Sequence, residues 1–141
     1  HEPAAAIDQA YGAALQRAPA DAYLWFDRAQ VLAAQGRYGQ QLETAAARAE
    51  ALAPASPALR LAMARMGALH WFRSPAELQQ LWLRSMRYEL RHNQRQFLRS
   101  LIHDGEQYWF CASAALELPL DWWCAKVWDY EEAAHISAGA P

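Results

Sequence analysis

The chain has 141 residues, 54% of them hydrophobic and 12% aromatic, with a formal net charge of −2. That length and apolar content suit one packed domain burying roughly two thirds of its unfolded surface, and they exclude a disordered chain. The charge supplies no field for nucleic acid, two cysteines cannot build a four-cysteine zinc site, and no apolar run nears the ~20 residues of a membrane span.

The chain opens on His1 without a methionine, as expected of a processed chain or an excised fragment. Lys126 is the one lysine among 13 basic residues, a bias that with the abundant alanine points to a GC-rich bacterial source. Every segment reads as helix. Residues 3–18 carry Ile7, Tyr11 and Ala14 on one face and stop at Pro19. Asp21 is placed to cap a second helix, with Trp25, Ala29 and Leu32 aligned and Gly36 as its stop. The third carries Tyr38, Leu42, Ala45, Ala49 and Leu52 and ends before Pro54. Ser56-Pro57 opens the fourth, which aligns Leu59, Met63 and Met66.

Ser74-Pro75-Ala76-Glu77 reads as a capping box for a fifth helix reaching about Arg91. Asn93 with Gln96 reads as a second box, opening a sixth helix that ends at about Asp104. Residues 106–117 are expected to form a seventh helix, broken by Pro119. Asp121 then caps an eighth that reaches about Ala134, ahead of a frayed end. Alanine dominates the packing positions before residue 70. After it come six of the seven tryptophans: Trp71, Trp82, Trp109, Trp122, Trp123 and Trp128.

Pro19 and Pro54 lie 35 residues apart and close similar segments. A two-helix period near that length is the mark of stacked helical hairpins. Residues 22–54 resemble a tetratricopeptide repeat in Trp25, Ala29, Leu32, the Gly36-Arg37-Tyr38 turn and Pro54. Residues 3–19 look like the second helix of a preceding repeat. Residues 57–91 keep the length and an alanine, Ala64, at the close-packing point, but lack the glycine turn. Gln41 stands where the family usually has alanine, and the match is lost from residue 92. The resemblance implies a ligand groove lined by each repeat's first helix. In that register Tyr23, Phe26 and Gln30 face the groove, joined by Arg65 and Leu69; the other reading of Tyr23 and Phe26 is ordinary packing between helices.

Catalytic signatures are missing: there is no GxSxG, HExxH, P-loop or GxGxxG, and six glycines are too few to cradle phosphate. His70, His92, His103 and His135 lack ligand spacing. His103 reads as a helix-end residue favoured by the macrodipole, and Glu131-Glu132 as a solvated face. No catalytic residue, cofactor or metal is expected. Arg84, Arg87, Arg91, Arg95 and Arg99 recur at steps of three and four, one stripe if the helix is continuous and a split row if Asn93 breaks it. One reading pairs these arginines with the acidic residues 104–132. The other makes them an anion-binding strip for an acidic peptide, a carboxylate terminus or a charged glycan. The tryptophans suit core packing and end capping, with sugar stacking as the competing idea. Trp122, Trp123 and Trp128 cannot all point inward. Cys111 and Cys124 flank Pro119 and are placed to face one another, either as a disulfide or as buried thiols. A disulfide, taken with the chain's start, tilts the expected location toward the periplasm.

The fold expected is an all-α, right-handed α-solenoid of about eight antiparallel helices, one domain over 1–141, with a divergent Trp-rich C-terminal cap from residue 92. The expected role is a non-catalytic protein-interaction module of a bacterial assembly or envelope system, binding a protein or peptide partner. Its alternative is a soluble periplasmic appendage of a membrane-bound enzyme that polymerises or ligates glycans. Tyr23, Phe26, Gln30, Arg65, Leu69, Arg91, Arg95 and Arg99 are the candidate partner-binding residues.

Overall fold

The computed structural model describes residues 2–52 and 56–139, with side chains described for 4–52 and 56–130. The described residues are all-helical, with eight α-helices and no strand. The helices are α1 (Glu2–Arg17), α2 (Ala22–Ala34), α3 (Gln40–Leu52), α4 (Pro57–Leu69), α5 (Ala76–His92), α6 (Gln94–His103), α7 (Gln107–Cys111) and α8 (Asp121–Gly139). Short 3-10 turns occupy Trp71–Arg73 and Ala114–Glu117. The end of α3 at Pro54, and the side chains of Glu131, Glu132 and His135, lie outside the described residues.

Local chemistry sets the early boundaries. The Asp21 carboxylate accepts the Tyr23 and Leu24 amides and starts α2. Gly36, at φ 73°, supplies the left-handed residue that stops it. Ser56 accepts the Leu59 amide, with Pro57 in the first turn of α4. α2 packs chiefly on α3, and α4 on α5. Ala29, Ala33, Ala45, Ala46 and Ala49 are all buried, so small side chains fill the space about α2 and α3. The α4–α5 contact is closer still at Gly67, where an added Cβ would sit 2.6 Å from Trp82 Cβ and 2.8 Å from its Cγ. Ala64 is buried as well, but Gly67 is the position with no room for a side chain.

Three expected caps and two expected helix ends are corrected. Ser74 does not cap α5: its hydroxyl donates to the His70 carbonyl and accepts from Trp82 Nε1 at 2.9 Å, leaving Pro75 at the cap position. Asn93 ends α5 as expected, but its side chain makes no cap bond to α6 and turns to Glu89 instead. The seventh helix stops at Cys111, because Ser113 adopts φ −137° and ψ −99° and its hydroxyl returns to the Trp109 carbonyl. Asp121 lies inside the first turn of α8, where the Leu120 carbonyl receives the Cys124 amide, and α8 continues to Gly139 rather than stopping near Ala134.

A single cluster of buried side chains runs from Ala22 to Val127. No described side chain of α1 is buried; the helix is tied on through Asp8, which meets Arg28 at 2.6 Å and Arg37 at 3.0 Å. Arg37 also donates to Gln41 Oε1, which gives a polar side chain at that position a partner.

Candidate functional site

Three surfaces gather the candidate residues. The first is a groove of about 310 Å³ between α2, α4 and the segment leading into α7. Gln30, Arg65 and Leu69 meet there, together with Met66, His70 and Glu106. Arg65 is held by an ion pair to Asp104, which brings the end of α6 to the groove. His70 Nδ1 lies 2.7 Å from the Tyr38 hydroxyl, and burial, aided by the Arg73 charge, depresses its basicity and favours the neutral ring. Burial raises the Glu106 carboxyl, the Asp104 charge adds to the rise, and Arg65 opposes it. Leu69 of the groove is 61% exposed; Phe72, at 65%, and Trp109, at 68%, hold their rings in an edge contact at 6.1 Å.

The two remaining residues of the expected groove lie elsewhere. Tyr23 is exposed, but its hydroxyl is 2.9 Å from Ser56 Oγ and its ring does not line the groove. Phe26 is corrected: it is only 6% exposed and belongs to the core. The buried face of α2 spans Ala22, Phe26, Ala29 and Ala33 as well as Leu32, because several neighbouring helices cover it. Trp25 is only partly buried, and its Nε1 donates to the Pro19 carbonyl at 2.8 Å.

The break at Asn93 splits the arginine row. Arg84, Arg87 and Arg91 line a cleft of about 480 Å³ with Glu50, Arg60 and Tyr88. Arg95 and Arg99 line a different one, about 470 Å³, with Leu98, Ile102, Trp122 and Trp123. The expected pairing with the acidic segment is not made by any described acid of that segment, Glu131 and Glu132 lying outside the described side chains. Arg84 takes Glu50 of α3 at 3.2 Å, and no described acid from 104 onward lies within ion-pair distance of any of the five arginines.

Of the three tryptophans on α8, Trp123 points into the core against Phe110, while Trp122 and Trp128 are exposed. Cys111 and Cys124 form a disulfide with their Cα atoms 5.6 Å apart, joining the end of α7 to the first turn of α8.

Several chemically active residues were not singled out from the sequence. Glu89 is 1% exposed with Oε2 unpartnered, and burial pushes its carboxyl up against the pull of Asn93, Arg60 and His92. Its signal was positional, since Leu78, Leu81, Trp82, Ser85, Met86 and Glu89 share the buried face of α5. Arg60 and Tyr88 had no such signal, because their stacked contact joins two helices. Among the described residues no cluster of three His, Cys, Asp or Glu side chains is spaced to hold a metal ion, and no helix is long and apolar enough to cross a membrane. No protein-family profile, curated protein or solved structure matches the chain.

Proposed function

We propose that the chain is a tetratricopeptide-like stack of antiparallel helical hairpins, wound as a right-handed solenoid, that acts as a non-catalytic protein-interaction module. The repeat reading draws support from α2 and α4, which begin 35 residues apart, each behind a side-chain cap, and pack chiefly on α3 and α5. The observation that carries the interaction reading is the surface at the ends of α4 and α7. Leu69, which lines the groove with Gln30 and Arg65, and the Phe72–Trp109 ring pair are large apolar side chains left mostly in water. A partly exposed aromatic cluster beside hydrogen-bonding groups is the composition of an interface centre, where aromatic anchors supply most of the affinity. The disulfide favours an oxidising compartment, and so an envelope or periplasmic setting.

The test is site-specific photo-crosslinking in the native host. A crosslinker replacing Leu69 is expected to yield one discrete adduct, lost when Arg65→Ala and Trp109→Ala are added. The same crosslinker at Ala13, on the exposed face of α1, gives none. Equal labelling at both positions overturns the proposal.

A second reading, the appendage of a membrane-bound glycan enzyme, rests on Trp122, which is 51% exposed beside Arg95 and Arg99. An exposed indole face suits the apolar face of a sugar ring. It predicts oligosaccharide binding that is lost with Trp122→Ala and survives added salt.

A further inference from the structure

We propose that the cleft between α3, α4 and α5 binds an extended acidic peptide segment with carboxylates at alternate residues. This site lies away from the Leu69 surface and does not rest on it: Arg60 and Arg65, five residues apart on α4, are rotated by about 140° from one another. The cleft holds four guanidinium groups, from Arg60, Arg84, Arg87 and Arg91, and its one lining carboxylate is Glu50, already engaged by Arg84. The Arg60 guanidinium carbon sits over Tyr88, 3.9 Å from the ring centroid, and His92 packs beside the same ring at 4.4 Å, so the wall of the cleft is pre-organised. Arg87 and Arg91 are exposed, and no described acid lies within ion-pair distance of either. The positive charge of Arg87 and Arg91 is therefore not neutralised by the described acids.

Spacing selects the ligand. Along α5, Arg84 to Arg91 spans about 10 Å, and Arg87 to Arg91 about 6 Å. Alternate side chains of an extended strand lie on one side about 7 Å apart, so acids at positions i and i+2 meet successive arginines. A compact phosphate needs donors converging on one point, whereas Arg84, Arg87 and Arg91 are strung along one helix. Each Arg–carboxylate contact has the planar geometry for a bidentate pair.

The experiment measures fluorescence anisotropy of a labelled Gly-Glu-Ser-Glu-Ser-Glu-Gly peptide against an isomer with its three glutamates contiguous, with inorganic pyrophosphate as competitor. The alternating peptide is expected to bind about fivefold tighter than its isomer, and Arg87→Ala with Arg91→Ala to weaken it about tenfold or more. Arg17→Ala with Arg73→Ala removes the same charge outside the cleft and is expected to leave binding within about twofold. Arg87→Lys with Arg91→Lys keeps the charge without the planar fork and is expected to fall between. Equal affinity for the two peptides overturns the proposal. So does binding indifferent to Arg87 and Arg91, or displacement by pyrophosphate at lower concentration than by unlabelled peptide. All variants lie on exposed side chains, and circular dichroism confirms that each is folded.

Discussion

The α2–α3 pair and the α7–α8 segment solve the same packing problem with opposite materials. In the first, alanines at Ala29, Ala33, Ala45, Ala46 and Ala49 leave the helices regular and close, with Leu32 and Leu42 filling the space between. In the second, Phe110 and Trp123 meet in an edge contact at 6.2 Å, α7 lasts five residues, and a 3-10 turn and a disulfide complete the connection. Small side chains keep the backbone periodic. Where large rings meet, the helix is short and Ser113 turns the backbone out of it.

The largest effect is expected at Trp82 of α5, which lies between the two regions in the chain. This ring is fully buried, packs on Gly67 and donates to Ser74. Trp82→Ala is expected to lose about 4 kcal/mol in urea unfolding, the cost of a large buried cavity. Cys111→Ser with Cys124→Ser opens a link across 13 residues and is expected to lose about 3 kcal/mol. Hydrogen exchange then sharpens the contrast, with amides of α7 and α8 losing protection while those of α2 and α3 keep theirs. Gly67→Ala gains about 1 kcal/mol of helix propensity, yet its Cβ meets the base of the Trp82 side chain, so a net loss of about 2 kcal/mol is expected.

Two acids give smaller effects with opposite signs. Burial raises the Glu89 carboxyl above its ordinary 4.5, so the native state holds that proton longer than the unfolded one. Stability therefore falls as pH rises from 4.5 through the raised native value. Glu89→Gln is expected to remove that decline and to raise Tm at neutral pH. Asp8 is the reverse: hydrogen bonds from Arg37 and Arg28 hold its carboxyl below 3.8. Its contribution is complete above 3.8 and lost as pH falls through the lower native value. Asp8→Asn is expected to lower Tm slightly at neutral pH and to flatten the decline on the acid side.

Local punctuation was the legible part of the chain. Asp21, Gly36, Ser56 and Pro57 act within one turn of their own backbone, so their spacing alone sufficed. Ser74 misled because a distant partner, Trp82 Nε1, claims the hydroxyl that would have capped α5. Gln30, Arg65 and Leu69 were grouped from a repeat register, and the fold does bring them to one groove, whereas Phe26 went to the core because α2 is covered by several neighbouring helices. The arginine row was visible as a spacing, but its division between two clefts depended on the direction the chain takes at Asn93.

The helices and several of their ends were legible in the chain because each follows from forces acting over a few residues, and the contrast between an alanine-rich and a tryptophan-rich half is written in its composition. Only the tertiary structure decided which charges remain unpaired, that Gly67 must stay a glycine, which tryptophans face water and where Arg60 lies over Tyr88. Those outcomes depend on distances between helices, and a helical period records which side a residue faces but not what stands opposite it.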